Sequence, residues 1–513
     1  MYLSLLPVCG AICFLGSIWL FFFKQKQQQA IWALCLAAFA LRLYMALVDP
    51  FLHDWDERFH ALVAKHMIAE PFKPMLRLEP ILPYDYTAWC CNHIWVHKQP
   101  LFMWQMALFM KIFGINEWAL RLPTALLSAA MTYWVYRIVL IWTLESRVAF
   151  TAAVLSAFSY YQMELTAGYL SLDHNDLVFT AYLTAGIWAF CEYTLKPGFR
   201  WALLAGLFTG LAILVKWLTA LLVFGGAGLY LLSEQKSWTN WTFYKHWLAA
   251  FGLSMGIMAP WQWHITRAFP KESAWEYEYN FKHITDKLGA FTSEHPWYYL
   301  ERLDEHYGVY FIPFLVLGVF AVLFTKNYSR RYTLPLLGMT GVVYVFFSLI
   351  VQTKMAAFTY IVCAAVFGLI AIGLERAIQA AIDNSKVSFQ LAARTILFLL
   401  IAVVALKPWQ IRPHHSSRNP ERQAKINNTR IFKNLNKTVP PDYVVFNCKS
   451  FEDTELMFYQ NYNAYHWFPP EKQLDSLLAN GHKIAAFQSH TNQGLPEYMS
   501  NNPRVLVIKE EMK

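Results

Sequence analysis

Residues 30–57 read AIWALCLAAFALRLYMALVDPFLHDWDE. The first part, 30–48, supplies about the 20 largely apolar residues that a helix needs to cross a bilayer. The run then breaks into a polar cluster, His53-Asp54-Trp55-Asp56-Glu57. A long apolar stretch that ends in concentrated charge predicts a fold of membrane-crossing helices, joined by polar loops on which chemistry is carried.

The rest of the chain repeats the pattern. Hydropathy predicts about twelve spans, near 2–23, 30–48, 119–141, 148–166, 177–195, 201–215, 217–233, 247–265, 307–325, 333–351, 357–373 and 394–408. The composition agrees, with 57% hydrophobic and only 15% charged residues, where soluble domains carry roughly a quarter charged. The net charge of +9 is not a nucleic-acid signature, because most basic residues sit in short loops that orient helices. Lys24 and Lys26, Lys196 and Arg200, Lys236 and Lys245, and Lys326 with Arg330 and Arg331 fall in alternate connections. Those loops are therefore expected in the cytoplasm and both termini outside, in the cytoplasmic (inner) membrane, with 2–23 a retained span rather than a signal peptide. Five of the eight cysteines, Cys9, Cys13, Cys35, Cys191 and Cys363, lie in apolar runs and read as small buried hydrophobes.

Two outer loops are large, 49–118 and 266–306. In the first, Phe59, Leu62, Val63 and Met67 recur at helical spacing, and Leu101, Trp104, Leu108, Phe109 and Ile112 repeat the pattern after Pro100. Two interfacial amphipathic helices are expected. The second is rich in Trp and Tyr, residues suited to headgroup depth. After residue 408 the apolar runs stop. Tyr443–Phe446, Lys483–Phe487 and Val505–Ile508 read as strands, and Glu471–Ala479, stopped by Asn480-Gly481, as a helix. The expected organisation is a transmembrane domain over 1–408 and a small extracytoplasmic α/β domain over 409–513.

Polar groups at membrane depth cost roughly 2.5–3.5 kcal/mol each, so they are functional candidates by default. Asp56 and Glu57 could act as general base and hydrogen-bond acceptor, or simply favour the dipole of a helix they begin. Lys98, in His97-Lys98-Gln99-Pro100, could hold a phosphate or snorkel. Ser171-Leu172-Asp173-His174-Asn175-Asp176 carries more polar groups than capping requires. Lys216 and Lys354 lie near outer helix ends and suit an anion or snorkelling, and Arg121 reads as an anchor at a helix entrance. His60, Asn280 and His283 complete the substrate-contact candidates. His97 and His283 are the metal candidates for a divalent ion, though no spacing is diagnostic.

In this order the clusters resemble a known family. Trp55 to Leu62 resembles the "DE-x-R-Y-A-E" motif of the GT-C superfamily of membrane glycosyltransferases, in particular the protein mannosyltransferases and bacterial lipid A aminoarabinose transferases. Lys98-Gln99-Pro100-Leu101 resembles their "KPPL", and Phe113 to Pro123 their "FG-x-x-E-x-x-x-RLP". Gly168 to Asp173 matches the spacing of "R-x-x-x-x-D"; Lys216 and Lys354 sit where the family has lysines. The resemblance is strongest over 50–220. It implies that Asp56 contacts the acceptor nucleophile, Glu57 supports it, Asp173 is the second-loop carboxylate, and Lys98 grips a lipid-linked phosphate, helped by Arg58, Lys216 and Lys354. Asp176 is an additional acid that could share the substrate. Two positions depart from the pattern: Phe59 replaces the family's Arg, and Gly168 stands where the second motif has one.

The resemblance thus implies an inverting glycosyltransferase that moves a sugar from a polyprenyl-phosphate donor to a protein hydroxyl, glycolipid or polysaccharide at the outer face. Its partners would be that donor, the acceptor and membrane lipids, with no nucleic acid and no required cofactor. The rival reading is a transporter or lipid flippase with outer-edge acids and lysines along a pathway. Transporters tend to place ionisable groups near midspan and to show repeats, neither of which stands out in this chain.

Overall fold

The computed structural model describes residues 4–88, 91–170, 175–234, 238–288, 295–325, 327–382, 386–490 and 493–513. The chain divides into two compact units. One comprises Met1–Ala46, Lys98–Phe102 and Thr124–Pro408; the other comprises Leu47–His97, Met103–Pro123 and Trp409–Lys513.

The first unit is helical and apolar, as expected of a multi-pass membrane protein. Among the described residues the predicted runs are largely helical, several of them in short or interrupted pieces. Among the described residues, six helices are long and apolar enough to cross a membrane. A seventh candidate, Tyr298–Tyr307 with Val309–Phe324, is bent by 101°. Several runs are broken instead of straight. The 148–166 run divides into Ser146–Ala157 and Tyr160–Ala167, a break that strands carbonyls in an apolar setting. Arg42 meets them: its guanidinium donates to Ser156 O and Ala157 O, each at 2.9 Å, and to the Gln162 side chain at 2.5 Å. Close helix approach comes from small residues. A Cβ on Gly318 would collide with the Leu369 carbonyl, and one on Gly373 with that of Phe314, so Ile312–Phe324 and Cys363–Ile382 touch backbone to backbone.

The second unit holds a four-stranded parallel sheet in the order Asn463–Ala464, Tyr443–Phe446, Lys483–Phe487, Val505–Ile508. The three longer strands and the Glu471–Ala479 helix fall where the sequence predicts them. Gly481 follows that helix at φ 83°, the conformation that favours glycine after a helix end. The core of this sheet also takes in part of the loop 49–118. Leu82 packs with Phe446, Tyr465, Leu474 and Ile484. Arg77, 2% exposed, pairs with Asp453 at 2.6 Å and lies 4.3 Å from the Tyr465 ring centroid. The Asp56–Met67 helix is buried over most of its length, from Glu57 through Ala64. Leu108, Ile112 and Phe113, at the end of the Pro100–Phe113 helix, stay exposed.

Candidate functional site

In the second unit the candidates converge on the turn that opens the Asp56–Met67 helix. Asp56 is its first residue and half-buried. Trp55 precedes it at φ 55°, a region that costs a bulky non-glycine residue about 1–3 kcal/mol and recurs at functional sites. The turn is held from behind. Glu57 is wholly buried and accepts two hydrogen bonds from Arg121, Nε–Oε1 at 2.6 Å and Nη2–Oε2 at 2.9 Å. Its Oε2 also accepts the His53 backbone N–H at 2.6 Å. Arg121 donates further to the carbonyls of Asp49 and Phe51. The "RLP" arginine is therefore more than an anchor at a helix entrance: it fixes the backbone that leads to Asp56. Glu117 of the same motif accepts from Lys433 at 2.7 Å and from the Tyr459 hydroxyl at 2.8 Å.

Asp49 forms a second buried anchor. It accepts from His415 at 2.6 Å and Arg422 at 2.7 Å, and lies 3.1 Å from His53 Nε2. Burial by itself would raise the Asp49 carboxyl, but the His415 and His53 hydrogen bonds and charges hold it well below the usual range. Arg58 is 3% exposed; it pairs with Asp54, with Glu455 at 3.1 Å and with the Ser450 carbonyl. Burial pushes the Glu455 carboxyl upward, against the pull of Arg58. His60 is buried in the same helix, and His97 is half-buried with its ring edge-on to Trp95.

In the first unit the candidates gather along one polar belt. The Leu101 N–H donates to the Leu214 carbonyl at 2.9 Å, which seats the Lys98-Gln99-Pro100 segment against the chain leading to Lys216. Gln99 accepts from Gln262 at 2.7 Å, and Gln262 in turn accepts from the Tyr277 hydroxyl. The Tyr277 ring lies 5.7 Å from that of Trp217, which has φ 121°. Lys98 acts electrostatically on Tyr279: burial pushes the phenol up, and the lysine charge opposes it. Lys216 pairs with Asp176 and sits 4.8 Å from the Phe358 ring centroid.

Asp176 begins the Asp176–Leu195 helix, preceded by Asn175. Among the described residues, neither side-chain atom of Asn175 nor Oδ2 of Asp176 has a hydrogen-bond partner, and all three are buried. Such orphans are rare in native interiors. Asp173 lies outside the described residues, so the structure weighs only Asp176 of the two acids. Gly168 has φ 85° at the end of the Tyr160–Ala167 helix, a conformation that an arginine would adopt only under strain. That accounts for the departure from the second motif.

The remaining candidates have local partners. The Lys354 ammonium donates to the carbonyls of Phe347, Ser348 and Val351 at 2.6–2.7 Å. Asn280 donates to the Glu276 carbonyl at 2.8 Å, and the His283 ring lies edge-on to Tyr279. Among the described residues no three His, Cys, Asp or Glu side chains gather as a metal cage. Sequence reasoning missed Arg42 and the Asp49 cluster, whereas Asn175 stood in the polar segment it singled out. Arg42, charged within an apolar run, was the one visible signal.

Residues 97–264 match the family described as dolichyl-phosphate-mannose-protein mannosyltransferase. Among solved structures, the chain is similar to ArnT from Cupriavidus metallidurans bound to undecaprenyl phosphate, with TM-score 0.61 and 14% identity over 92% of this chain and 88% of that one. The apo form of that protein matches with TM-score 0.59 and 15% identity over 87% of each chain. The archaeal oligosaccharyltransferase AglB from Archaeoglobus fulgidus, in complex with an inhibitory peptide and a dolichol-phosphate, matches with TM-score 0.53 and 14% identity, over 85% of this chain and 64% of that one. No curated protein sequence matches.

Proposed function

We propose that this chain is a membrane glycosyltransferase of the GT-C type, a reading supported by its partial family match and its fold, and that it moves a sugar from a polyprenyl-phosphate donor to an acceptor hydroxyl with inversion, at the outer face of the cytoplasmic membrane. The observation that carries the reading is the belt in the apolar unit, where the backbone bond from Leu101 to Leu214 brings the Lys98 segment alongside that of Lys216. Lysines at the ends of apolar helices suit a ligand with a charged phosphate and a hydrocarbon tail. Undecaprenyl phosphate and dolichol-phosphate, bound by the two structural relatives, have that chemistry.

Displacement at an anomeric carbon passes through an oxocarbenium-like state. It needs an aligned nucleophile and a leaving phosphate whose growing charge is met. Lys98 and Lys216 are assigned to the phosphate. Asp56 is assigned to the acceptor hydroxyl, as base or hydrogen-bond acceptor, with Glu57 and Arg121 holding its turn. Asn175 and Asp176, with buried polar atoms unspent among the described residues, are assigned to the donor sugar, alongside Asp173. The acceptor is a protein, a glycolipid or a polysaccharide, and the chemistry as written requires no metal.

Mass spectrometry of membrane lipids and outer glycoproteins from a strain lacking this chain tests the proposal. Loss of one sugar from an envelope molecule, with accumulation of its polyprenyl-phosphate form, is the expected result. Unchanged glycans together with unchanged donor lipid would overturn it.

A further inference from the structure

Within the second unit, a cavity of about 450 Å³ opens beside the Asp56 turn, a volume in the range of small-ligand sites. Its walls come from both parts of that unit: Asp54, Trp55 and Arg58 from the first outer loop, and Lys425, Lys449 and Phe451 from the C-terminal segment. Trp55 and Phe451 pack against each other at a tilt of 44°, with ring centroids 5.4 Å apart. Both have backbone φ in the left-handed region, 55° and 60°, which bulky residues adopt only where the surrounding structure insists. Trp55 is 51% exposed, so a large apolar surface is held open to the cavity when burying it would stabilise the fold.

The polar lining is charge-balanced. Arg58, Lys425 and Lys449 stand against Asp54, Glu421 and Glu452. Asp54 is shared by Arg58 and Lys425, and Asn428 donates to Glu452 at 2.9 Å. A cavity with three cations and three carboxylates offers little net attraction to an anion, and its charged walls disfavour an apolar chain. Many fixed donors and acceptors around two aromatic faces suit a ligand that is rich in hydroxyls and has an apolar ring face.

We infer that this cavity binds a neutral saccharide, and that it is the acceptor subsite, so that the molecule receiving the new sugar is itself a glycan. The assignment as acceptor subsite rests on the proposed transfer activity; the binding of saccharide does not. The exposed face of Trp55 stacks on the sugar ring, with Phe451 packed against that indole, and Lys425 and Asp54 take the sugar hydroxyls. The subsite adjoins Asp56 through the peptide bond from Trp55.

The test uses the full chain in detergent, titrated with neutral disaccharides built from glucose, galactose, mannose and N-acetylglucosamine, and with a Ser/Thr-rich peptide. Binding is followed by saturation-transfer NMR. At least one disaccharide is expected to bind, and Trp55→Ala and Lys425→Met are each expected to weaken it about tenfold. Trp55 is exposed, so its loss is expected to leave the melting temperature in place, which separates binding from folding. Absence of binding by every disaccharide, equal binding by the variants, or peptide binding lost in Trp55→Ala would each overturn the inference. Saccharide binding without transfer from a polyprenyl-phosphate donor would count against the proposed activity and leave the binding site standing. Transfer to an acceptor without any saccharide binding would overturn the subsite alone.

Discussion

Arg121 and Glu57 form a two-pronged, wholly buried ion pair, with contacts of 2.6 and 2.9 Å. The same guanidinium holds the carbonyls of Asp49 and Phe51, so one side chain fixes both flanks of the turn that presents Asp56. Removing one partner of such a pair strands a buried charge, at a cost of about 3–5 kcal/mol. Arg121→Ala is therefore expected to lower the thermal midpoint of the detergent-solubilised protein sharply, and Asp56→Asn to leave it almost unchanged. Equal midpoints for Arg121→Ala and wild type would remove Arg121 from this role.

Lys216 and Lys354 differ in what their ammonium groups meet. Lys354 is engaged by three carbonyls, and Lys216 by one carboxylate and an aromatic face. Lys354→Met is expected to lower thermal stability, because it strands those carbonyls. Lys216→Ala is expected to weaken undecaprenyl phosphate binding about 10- to 100-fold, the range for a lost charge-assisted hydrogen bond. Calorimetric titration and thermal unfolding of both variants check this. The reverse pattern would move the phosphate site to Lys354.

Stability should also depend on pH through the loop 49–118. Burial pushes the imidazoles of His66 and His93 down to about 4, while the unfolded chain protonates near 6.5. Between those values only the unfolded state takes up the protons, so the contribution of these two imidazoles is complete above about pH 6.5 and is lost as pH drops toward 4. The thermal midpoint is expected to decline between pH 7 and 5, and the double variant His66→Gln, His93→Gln to flatten that decline. The same change in midpoint over this window for the wild type and the double variant would contradict it.

The helices were legible because a chain in lipid must satisfy its backbone internally, which leaves long apolar runs as the sign. The strands at 443–446, 483–487 and 505–508 were legible from short β-rich runs, and the turn after Ala479 from Asn480-Gly481. Long-range pairing was not. Arg77 and Asp453 are 376 residues apart, and Asp49 and His415 are 366 apart. Local periodicity says nothing about which distant carboxylate a buried arginine will find. For the same reason Leu82 gave no sign of joining the sheet's core, and the role of Arg42 became visible only with the helix break that it bonds. At the site, residue types and their order marked Asp56, Lys98 and Lys216 as candidates, but not the supports that Arg121 and Asp49 provide.

The central claim, that Asp56 acts on an acceptor hydroxyl during sugar transfer from a polyprenyl phosphate, is tested most directly in proteoliposomes. The measurement is transfer of labelled sugar from the lipid donor to envelope acceptor material, with the wild type and Asp56→Asn compared at equal folded protein. The expected result is a fall of at least about 100-fold, the lower end for a lost acid–base group, with donor binding retained. A near-wild-type transfer rate in Asp56→Asn would contradict the account.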